Sequence, residues 1–177
     1  MASHNEAFTS VFDAVYANLC RFLECLLGER ATAQDIAQES FLRLHRFGLY
    51  RLPPDEARFW LFRVARNLAL NEMQKQQTRS RLSAEAAVAF GDQTPDPEGA
   101  FLRAESNRLV RDLLGHLPER QRTALLLREQ EEMSYREIAR VLGISEGNVK
   151  TDIFRARRLL RERWHELHGT AAKLCER

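Results

Sequence analysis

Polar side chains able to hydrogen-bond to nucleic-acid bases and phosphates are concentrated between residues 145 and 163. They are Glu146, Asn148, Lys150, Thr151, Arg155, Arg157 and Arg158. Residues at the start of such a segment can read the edges of bases, and basic residues further along can pair with phosphates. The sequence therefore predicts a DNA-binding segment here. The alternative is an arginine-rich solvated face on an ordinary helix bundle.

Two helices joined by a short turn are predicted to position these side chains. Ser134 and Glu137 have the spacing of a capping box, so one helix begins there, and Gly143 ends it. Ser145 then caps a second helix, and the residues off its apolar stripe, Asp152 among them, are predicted to face outward. The stripe has spacings of four, three and four: Val149, Ile153, Ala156 and Leu160. This arrangement is typical of a helix-turn-helix.

The chain as a whole is not a polycation, because its formal net charge is only +2 over 177 residues. Any affinity for nucleic acid must then come from local concentrations of charge. Three irregularly spaced cysteines argue against a disulfide framework. No apolar run has the length of a membrane span, and the first residues lack a signal-peptide layout, so we expect the protein in the cytoplasm. The sequence predicts no cofactor and no metal site.

Helical periodicity runs along the whole chain, and strand-like alternation is absent. We predict an all-α fold of two small helical domains joined by a flexible acidic linker. The predicted boundaries are 1–82 for the first domain, 83–99 for the linker, 100–168 for the second domain and 169–177 for the tail. The linker assignment rests on turn-forming residues and on acidic residues without a basic one: Glu85, Asp92, Asp96 and Glu98.

Five helices are predicted before the helix-turn-helix, over residues 6–27, 32–47, 56–77, 100–114 and 118–129. Phe12 and Phe47 fall on the apolar stripes of the first two helices, so both are predicted to be core residues.

The third helix has a second polar face, on the side away from its apolar residues. This face carries Trp60, Arg63, Asn67 and Asn71. An aromatic ring, amides and an arginine on one basic face suit stacking and hydrogen bonding to bases. The alternative is a solvated face with one half-buried tryptophan.

Two separate stretches resemble a single family. LPERQRTALLLREQEEMSYREIARVLGISEGNVKTDIFRARRLL resembles the C-terminal domain of bacterial sigma factors. ATAQDIAQESFLRLHRF, followed by ARFWLFRVARNLALNEMQKQ, resembles their N-terminal core domain. From about Phe8 to Leu167 the chain is similar to the group IV, or extracytoplasmic function, sigma factors of the sigma-70 family. A helix-turn-helix alone is shared with many regulators, whereas QDIAQESFLRL and FWLFRVARNLALN ahead of it make the match specific.

The resemblance implies two roles for the first domain, a region 2-like domain. Asp35, Gln38 and Glu39 match the segment that docks on a coiled coil of core RNA polymerase. The third helix and the loop before it match the part that melts the −10 promoter element and holds a flipped base. Asn67 matches a base-reading position on the stripe with Trp60, Arg63 and Asn71. Tyr50, in the loop before this helix, matches the base-pocket region.

For the second domain, a region 4-like helix-turn-helix, the resemblance implies recognition of the −35 element. The first four polar residues, Glu146, Asn148, Lys150 and Thr151, would face bases, and Arg155, Arg157 and Arg158 would face phosphates. Asp152 departs from the basic residue often seen at its position, so we expect it to repel phosphate or to accept a hydrogen bond from a cytosine amino group. The apolar 125–127 stretch resembles the part that meets the polymerase flap.

The predicted function is that of a sigma factor, which binds core RNA polymerase and directs initiation at promoter DNA under the control of an anti-sigma factor. That partner is often membrane-bound and would then hold the chain at the inner membrane. The alternative is a stand-alone helix-turn-helix regulator, which would need a sensing or dimerisation module in the first half. An enzyme is not predicted, because clustered metal ligands, a phosphate-binding loop and a nucleophile–base pair are all lacking.

Overall fold

The computed structural model of the chain describes residues 4–53, 56–83 and 109–174. Within these ranges the protein consists of seven helices and no strand. The helices are α1 (His4–Leu27), α2 (Arg30–Phe47), α3 (Glu56–Ser83), α4 (described over 109–115), α5 (Glu119–Glu129), α6 (Tyr135–Leu142) and α7 (Glu146–Leu174). A short 3-10 turn, Leu49–Arg51, connects α2 to α3. The predicted all-α class is confirmed, and none of the helices described here is both long and apolar enough to cross a membrane.

The first three helices pack around a shared apolar core. Leu19, Leu23 and Leu44 are fully buried between them, and the rings of Phe22 and Phe62 meet edge to face at 5.3 Å. Burying a side chain of this size stabilises the fold by about 1.5–3 kcal/mol. This core fixes which sides of α2 and α3 face outward.

The apolar faces of α1 and α2 extend beyond this core at one end, so the prediction that Phe12 and Phe47 are core residues is wrong. Phe12 is 36% exposed and stacks on Tyr16, with ring centroids 4.6 Å apart. Phe47 is 38% exposed and stacks on Trp60 at 5.5 Å. Both rings therefore lie at the rim of the core, each packed on one neighbouring ring.

The helices from α4 to α7 form a second bundle. Its core includes Leu127, Met133, Ile138 and Ile153, each at most 2% exposed. The 125–127 stretch is buried in this core, with no side chain more than 6% exposed. The expectation that it meets a polymerase partner is wrong for the structure as it stands, because these side chains are buried on a helix that packs against α1, α6 and α7.

The helix-turn-helix begins and ends as predicted. The Ser134 amide donates to the Glu137 carboxylate at 2.6 Å, and the Glu137 amide donates to the Ser134 hydroxyl at 3.3 Å. These hydrogen bonds hold the pKa of Glu137 below its usual value. Gly143 ends α6 in the left-handed conformation, with φ of 68°. Ser145 accepts from the Asn148 amide at 3.3 Å, which caps α7.

Two helices are longer than predicted. The third helix continues from Gln77 to Ser83, the first residue assigned to the linker. The last helix continues to Leu174, so the stretch assigned to the tail begins as helix. Residues 84–108, which hold the rest of the linker and the start of the second domain, lie outside the described ranges.

The two bundles contact each other, which the sequence did not indicate. Arg66 on α3 makes a bidentate pair with Glu119 on α5, at 2.9 and 3.0 Å. Arg58, also on α3, contacts both the carboxylate and the carbonyl of Glu131, at 3.0 and 2.7 Å. Both arginines belong to the basic helix of the first domain, and both carboxylates belong to the second.

Further contacts between the bundles come from arginines of the second domain. Arg122 donates to the carbonyl of Leu26 at 3.0 Å, near the C-terminal end of α1, where a cation is favourable. Burial lowers the pKa of Arg122 from its ordinary value. Arg140 pairs with Glu56, and its guanidinium lies 5.4 Å from the centroid of the Phe59 ring. These polar and aromatic contacts accompany an apolar one, since the buried residues of both bundles form a single hydrophobic cluster.

Candidate nucleic-acid interface

The outer side of α7 presents all seven polar side chains that the sequence selected. They are exposed in the structure: Glu146, Asn148, Lys150, Thr151, Arg155, Arg157 and Arg158. Their exposure follows from the burial of Val149, Ile153 and Ala156, which dock the opposite side of the helix on the bundle. The predicted stripe is thus confirmed, and the first two turns of α7 are accessible to a ligand.

The three arginines of this face differ in their partners. Arg157 pairs with Glu129 of α5 at 2.5 Å, and Arg158 lies 3.5 Å from Glu162. Arg155 has no carboxylate partner within the part of the chain that the structure describes. Exposed ion pairs contribute only about 0–1 kcal/mol, so a phosphate can replace these carboxylates at little cost.

Two of the predicted base-facing side chains are held in place before any ligand binds. The Lys150 ammonium lies 5.6 Å from the centroid of the Tyr135 ring, a cation–π contact with α6. The Thr151 hydroxyl donates to the Gly147 carbonyl at 2.9 Å. The hydroxyl proton of Thr151 is therefore committed, and its oxygen is left to accept from a base.

Asp152 does not face outward, so the prediction for this residue is wrong. Its side chain is 1% exposed, and its two oxygens accept from Arg120 Nε at 2.6 Å and Nη2 at 3.2 Å. The ion pair raises the pKa of Arg120 above its ordinary value. The inner side of α7 is wider than the apolar stripe because α5 also packs against it, and Asp152 points toward α5. A buried carboxylate already bound to a guanidinium is not available to a cytosine amino group.

Phe154 belongs to the outer side of α7, although the sequence did not select it. Its ring is 67% exposed, one turn after Lys150 and one turn before Arg158. A phenylalanine is more often a core residue, and only its position off the apolar stripe could have indicated exposure. An exposed ring at this point adds an apolar group to a polar face.

The α2 helix carries the predicted docking residues on one outward side. Asp35 and Gln38 are exposed, and Glu39 pairs with Arg43 of the next turn at 2.7 Å. Leu42 lies on the same side, seven residues after Asp35, and is 52% exposed. The sequence did not select Leu42. Its exposure gives this acidic face an apolar centre.

The outer stripe of α3 is only partly as predicted. Arg63, Asn67 and Asn71 are exposed at spacings of four residues. Trp60 is half-buried, because one face of its indole stacks on the Phe47 ring. The aromatic member of the stripe therefore shares its surface with α2. Tyr50 lies in the 3-10 turn, and its side chain falls outside the described residues.

A groove of about 820 Å³ runs between α2 and the second half of α3. Its lining includes residues from both predicted surfaces: Asp35, Glu39, Arg43, Asn71, Lys75 and Arg79. The structure thus brings Asn71 together with the docking carboxylates. Trp60 and Arg63 lie nearer the start of the helix and do not line this groove.

These features define a two-domain, helix-turn-helix DNA-binding protein. A protein-family model for sigma-70 region 2 matches residues 11–79, and a model for sigma-70 region 4 matches residues 107–160. The chain belongs to the sigma-70 family, in its extracytoplasmic function group. Proteins of this family are transcription initiation factors without an enzymatic activity of their own.

Curated relatives cover most of the chain. RNA polymerase sigma-H factor of Pseudomonas aeruginosa is 42% identical over 134 residues, which span 71% of this chain and 69% of the relative. The extracytoplasmic function sigma factor SigW of Bacillus subtilis is 30% identical over 174 residues, spanning 92% and 91% of the two chains.

Solved structures share the fold at lower identity. The sigma factor RpoE in complex with the anti-sigma factor NepR, from Bartonella quintana, has a TM-score of 0.70 at 22% identity, covering 88% of this chain and 94% of that one. CnrH in complex with the cytosolic domain of CnrY has a TM-score of 0.65 at 24% identity, covering 90% and 88%.

Proposed function

We propose that this sigma factor docks on core RNA polymerase through α2, reads the −10 promoter element with α3 and reads the −35 element with α7. One observation carries the proposal: a single chain exposes an acidic face, an amide and arginine face, and a helix-turn-helix face on three different helices. Each face is set by a buried opposite side, so the three can act at once. This division matches the steps of promoter-directed initiation.

On α7, the first two turns enter the major groove. Asn148 and Lys150 donate hydrogen bonds to base edges, and Arg155 binds a phosphate. Phe154 supplies an apolar surface of the kind that contacts a thymine methyl group. Glu146 and Thr151 accept from bases, and Arg157 and Arg158 exchange their carboxylate partners for phosphates.

On α3, Asn67 hydrogen-bonds to a base of the −10 element while Arg63 contacts the backbone beside it. Trp60 lies at the start of this surface, where an aromatic ring suits a base that has left the stack, and Asn71 lies at its other end. Tyr50, in the turn before α3, is proposed to contribute to the same base pocket. Unstacking one base costs a few kcal/mol, which binding in a pocket offsets. No nucleotide hydrolysis is required.

On α2, Asp35, Gln38 and Glu39 surround the exposed side chain of Leu42. Charged groups around an apolar centre are the usual composition of a protein interface, since the rim sets orientation and the centre gives affinity. The partner surface would be basic around an apolar contact. We propose that this surface is the coiled coil of core RNA polymerase.

The test is run-off transcription with core RNA polymerase and this protein on a library of promoter fragments. Specific initiation only when both are present is the expected result, and the transcribed fragments define the promoter. Absence of initiation, together with tight binding of duplex DNA by the protein alone, would indicate a stand-alone regulator instead.

We also propose that an anti-sigma factor holds this chain inactive. Support comes from the two similar folds described above, each solved in a complex, one with the anti-sigma factor NepR and one with the cytosolic domain of CnrY. The test is affinity purification of the tagged chain from its own cells, followed by addition of each purified partner to the run-off assay. A partner that suppresses initiation at equimolar amounts is expected. If every captured protein leaves initiation unchanged, the proposal fails.

A further inference from the structure

Arg120 lies in the first turn of α5, beside the recognition helix α7. Its guanidinium binds both oxygens of Asp152, and the two side chains differ greatly in exposure. Asp152 is 1% exposed, whereas Arg120 is 52% exposed. The ion pair therefore runs from the interior of the bundle to its surface, with the positive group on the outside.

The pair leaves part of the guanidinium unused. Asp152 accepts from Nε and Nη2, which lie on one edge of the guanidinium plane. The N–H groups of the other edge have no further hydrogen-bond acceptor in the described part of the chain. An arginine held bidentately on one edge keeps donors in a fixed direction on the other, which suits a phosphate oxygen.

The position of the pair places these donors at the edge of the α7 surface. Asp152 directly follows Thr151 and lies one turn after Asn148, both of which face outward. Position 152 carries a buried carboxylate, so it cannot itself offer a positive charge to a phosphate. The guanidinium bound to Asp152 is that of Arg120, which comes from a different helix.

We propose that Arg120 contacts a DNA phosphate at the flank of the −35 surface, with Asp152 as the positioning residue that holds the guanidinium in place. The contact rests on the proposed function, since it requires α7 to lie against DNA. Arg120 then supplies from α5 the positive charge that the resemblance led us to expect at position 152.

The test compares variants in the full chain assembled with core RNA polymerase, on a promoter fragment selected by run-off transcription. Arg120→Gln alone would leave a buried, unpaired carboxylate, so the informative variant is Arg120→Gln with Asp152→Asn, which removes both charges together. Arg21→Gln with Asp13→Asn, at two exposed positions on α1, is the control, because it also removes one charge of each sign. Affinity is measured over a series of salt concentrations, and thermal unfolding checks that each variant folds.

We expect the double variant to bind the promoter about tenfold more weakly, with the slope of log affinity against log salt reduced by about 0.9, the value for one phosphate contact. The control should keep the wild-type slope. The reversed pair, Arg120→Asp with Asp152→Arg, should not recover the slope, because it places the carboxylate at the exposed end of the pair and the guanidinium at the buried end.

Wild-type affinity and slope in a folded double variant would overturn the contact, since Arg120 would then serve only to hold α7. Failure of the proposed function would give a different experimental result. In that case the wild-type holoenzyme itself would show no salt-dependent promoter binding, and the phosphate contact would be rejected along with it.

Discussion

The side chains on the outer face of α7 differ in how firmly the protein holds them before DNA binds. Thr151 is fixed by its hydrogen bond to the Gly147 carbonyl, and Lys150 rests against the Tyr135 ring. Arg155 has no such restraint within the described ranges. Side chains ordered in advance lose less entropy on binding, so Lys150 and Thr151 should contribute more to base discrimination than their exposure alone indicates.

Phe154→Ala should weaken promoter binding about three- to tenfold, because the ring would lose its apolar contact with a thymine methyl group. The contact can be tested on the DNA side by replacing thymine with uracil, which removes only that methyl group. Wild-type protein should lose affinity on the uracil fragment, whereas the variant should bind both fragments equally. Val110→Ala, at another exposed apolar residue, is the matched control. Equal sensitivity of wild type and variant to uracil would exclude a methyl contact by Phe154.

Asn67→Ala should reduce discrimination between −10 sequences while leaving assembly with core polymerase intact. The amide is exposed on the outer stripe of α3, and its loss removes hydrogen bonds to a base but no buried contact. The measurement is the ratio of initiation rates on wild-type and mutated −10 elements. Gln77→Ala, also exposed on α3, should keep the wild-type ratio. Loss of polymerase binding by Asn67→Ala would show that this residue belongs to the docking surface.

The exposure of single residues was predictable where it followed from helical period and not where it depended on distant partners. The polar residues of α7 were found because Val149, Ile153 and Ala156 fix the buried side. Asp152 was wrongly predicted to face outward because its partner, Arg120, lies 32 positions away in the sequence. Helical periodicity alone does not pair the two residues. A lone carboxylate next to a basic stretch resembles a surface residue until its guanidinium is located.

At the scale of helices, the capping box of α6 is the local feature that holds the helix-turn-helix in register. Ser134→Ala should destabilise the protein by about 1 kcal/mol, since it leaves the Glu137 amide without its acceptor. Thermal unfolding should detect this as a lowered midpoint. Ser10→Ala, an exposed serine within α1, should cause no such loss. An unchanged midpoint for Ser134→Ala would mean that water replaces the cap fully.

The acidic face of α2 gives the second prediction at this scale. Asp35→Lys with Glu39→Lys should abolish competition for core polymerase while leaving the fold unchanged, because both side chains point away from the helix core. The measurement is displacement of a labelled sigma factor from core enzyme. Asp13→Lys with Asp112→Lys changes the same charge at exposed sites elsewhere and should retain binding. If the α2 variant bound core enzyme normally and failed only in promoter recognition, the assigned roles of α2 and α3 would be wrong.

Helix ends were the least predictable elements, and the cause is packing rather than propensity. Phe47 has the period of a core residue, but its ring remains 38% exposed and lies against Trp60 of α3. The 125–127 stretch looked like a patch for a partner, but it is buried on a helix that packs against α1, α6 and α7. Whether an apolar stripe is covered depends on where neighbouring helices stop, which their own sequences fix only to within a turn.

For the whole molecule, the unexpected feature is the contact between the two bundles. The linker composition predicted separate readers, and the pairs that join the bundles are 53 and 73 positions apart in sequence. Promoter elements more than one helical turn apart are separated by at least about 35 Å. Packed side by side, the bundles hold α3 and α7 at one fixed distance. The distance at which the two helices must bind is set instead by the spacing of the two promoter elements on the duplex. The strength of the contact between the bundles therefore decides how readily the chain adapts to a promoter.

Glu119→Gln with Glu131→Gln should loosen this packing, because the charges facing Arg66 and Arg58 are removed. A compact chain of this length has a radius of gyration of about 16 Å, and separation of the bundles should raise it by several ångströms in small-angle X-ray scattering.

The matched control is Glu129→Gln with Glu162→Gln, which also removes two carboxylates and two ion pairs, but both pairs lie within the second bundle. Its radius of gyration should stay that of the wild type. If the Glu119 and Glu131 variant also stayed compact, the contact between Phe59 and Arg140 and the hydrogen bond from Arg122 to Leu26 would suffice to hold the bundles. Adaptation to a promoter would then require the desolvated arginine of α5, Arg122, to leave its carbonyl partner.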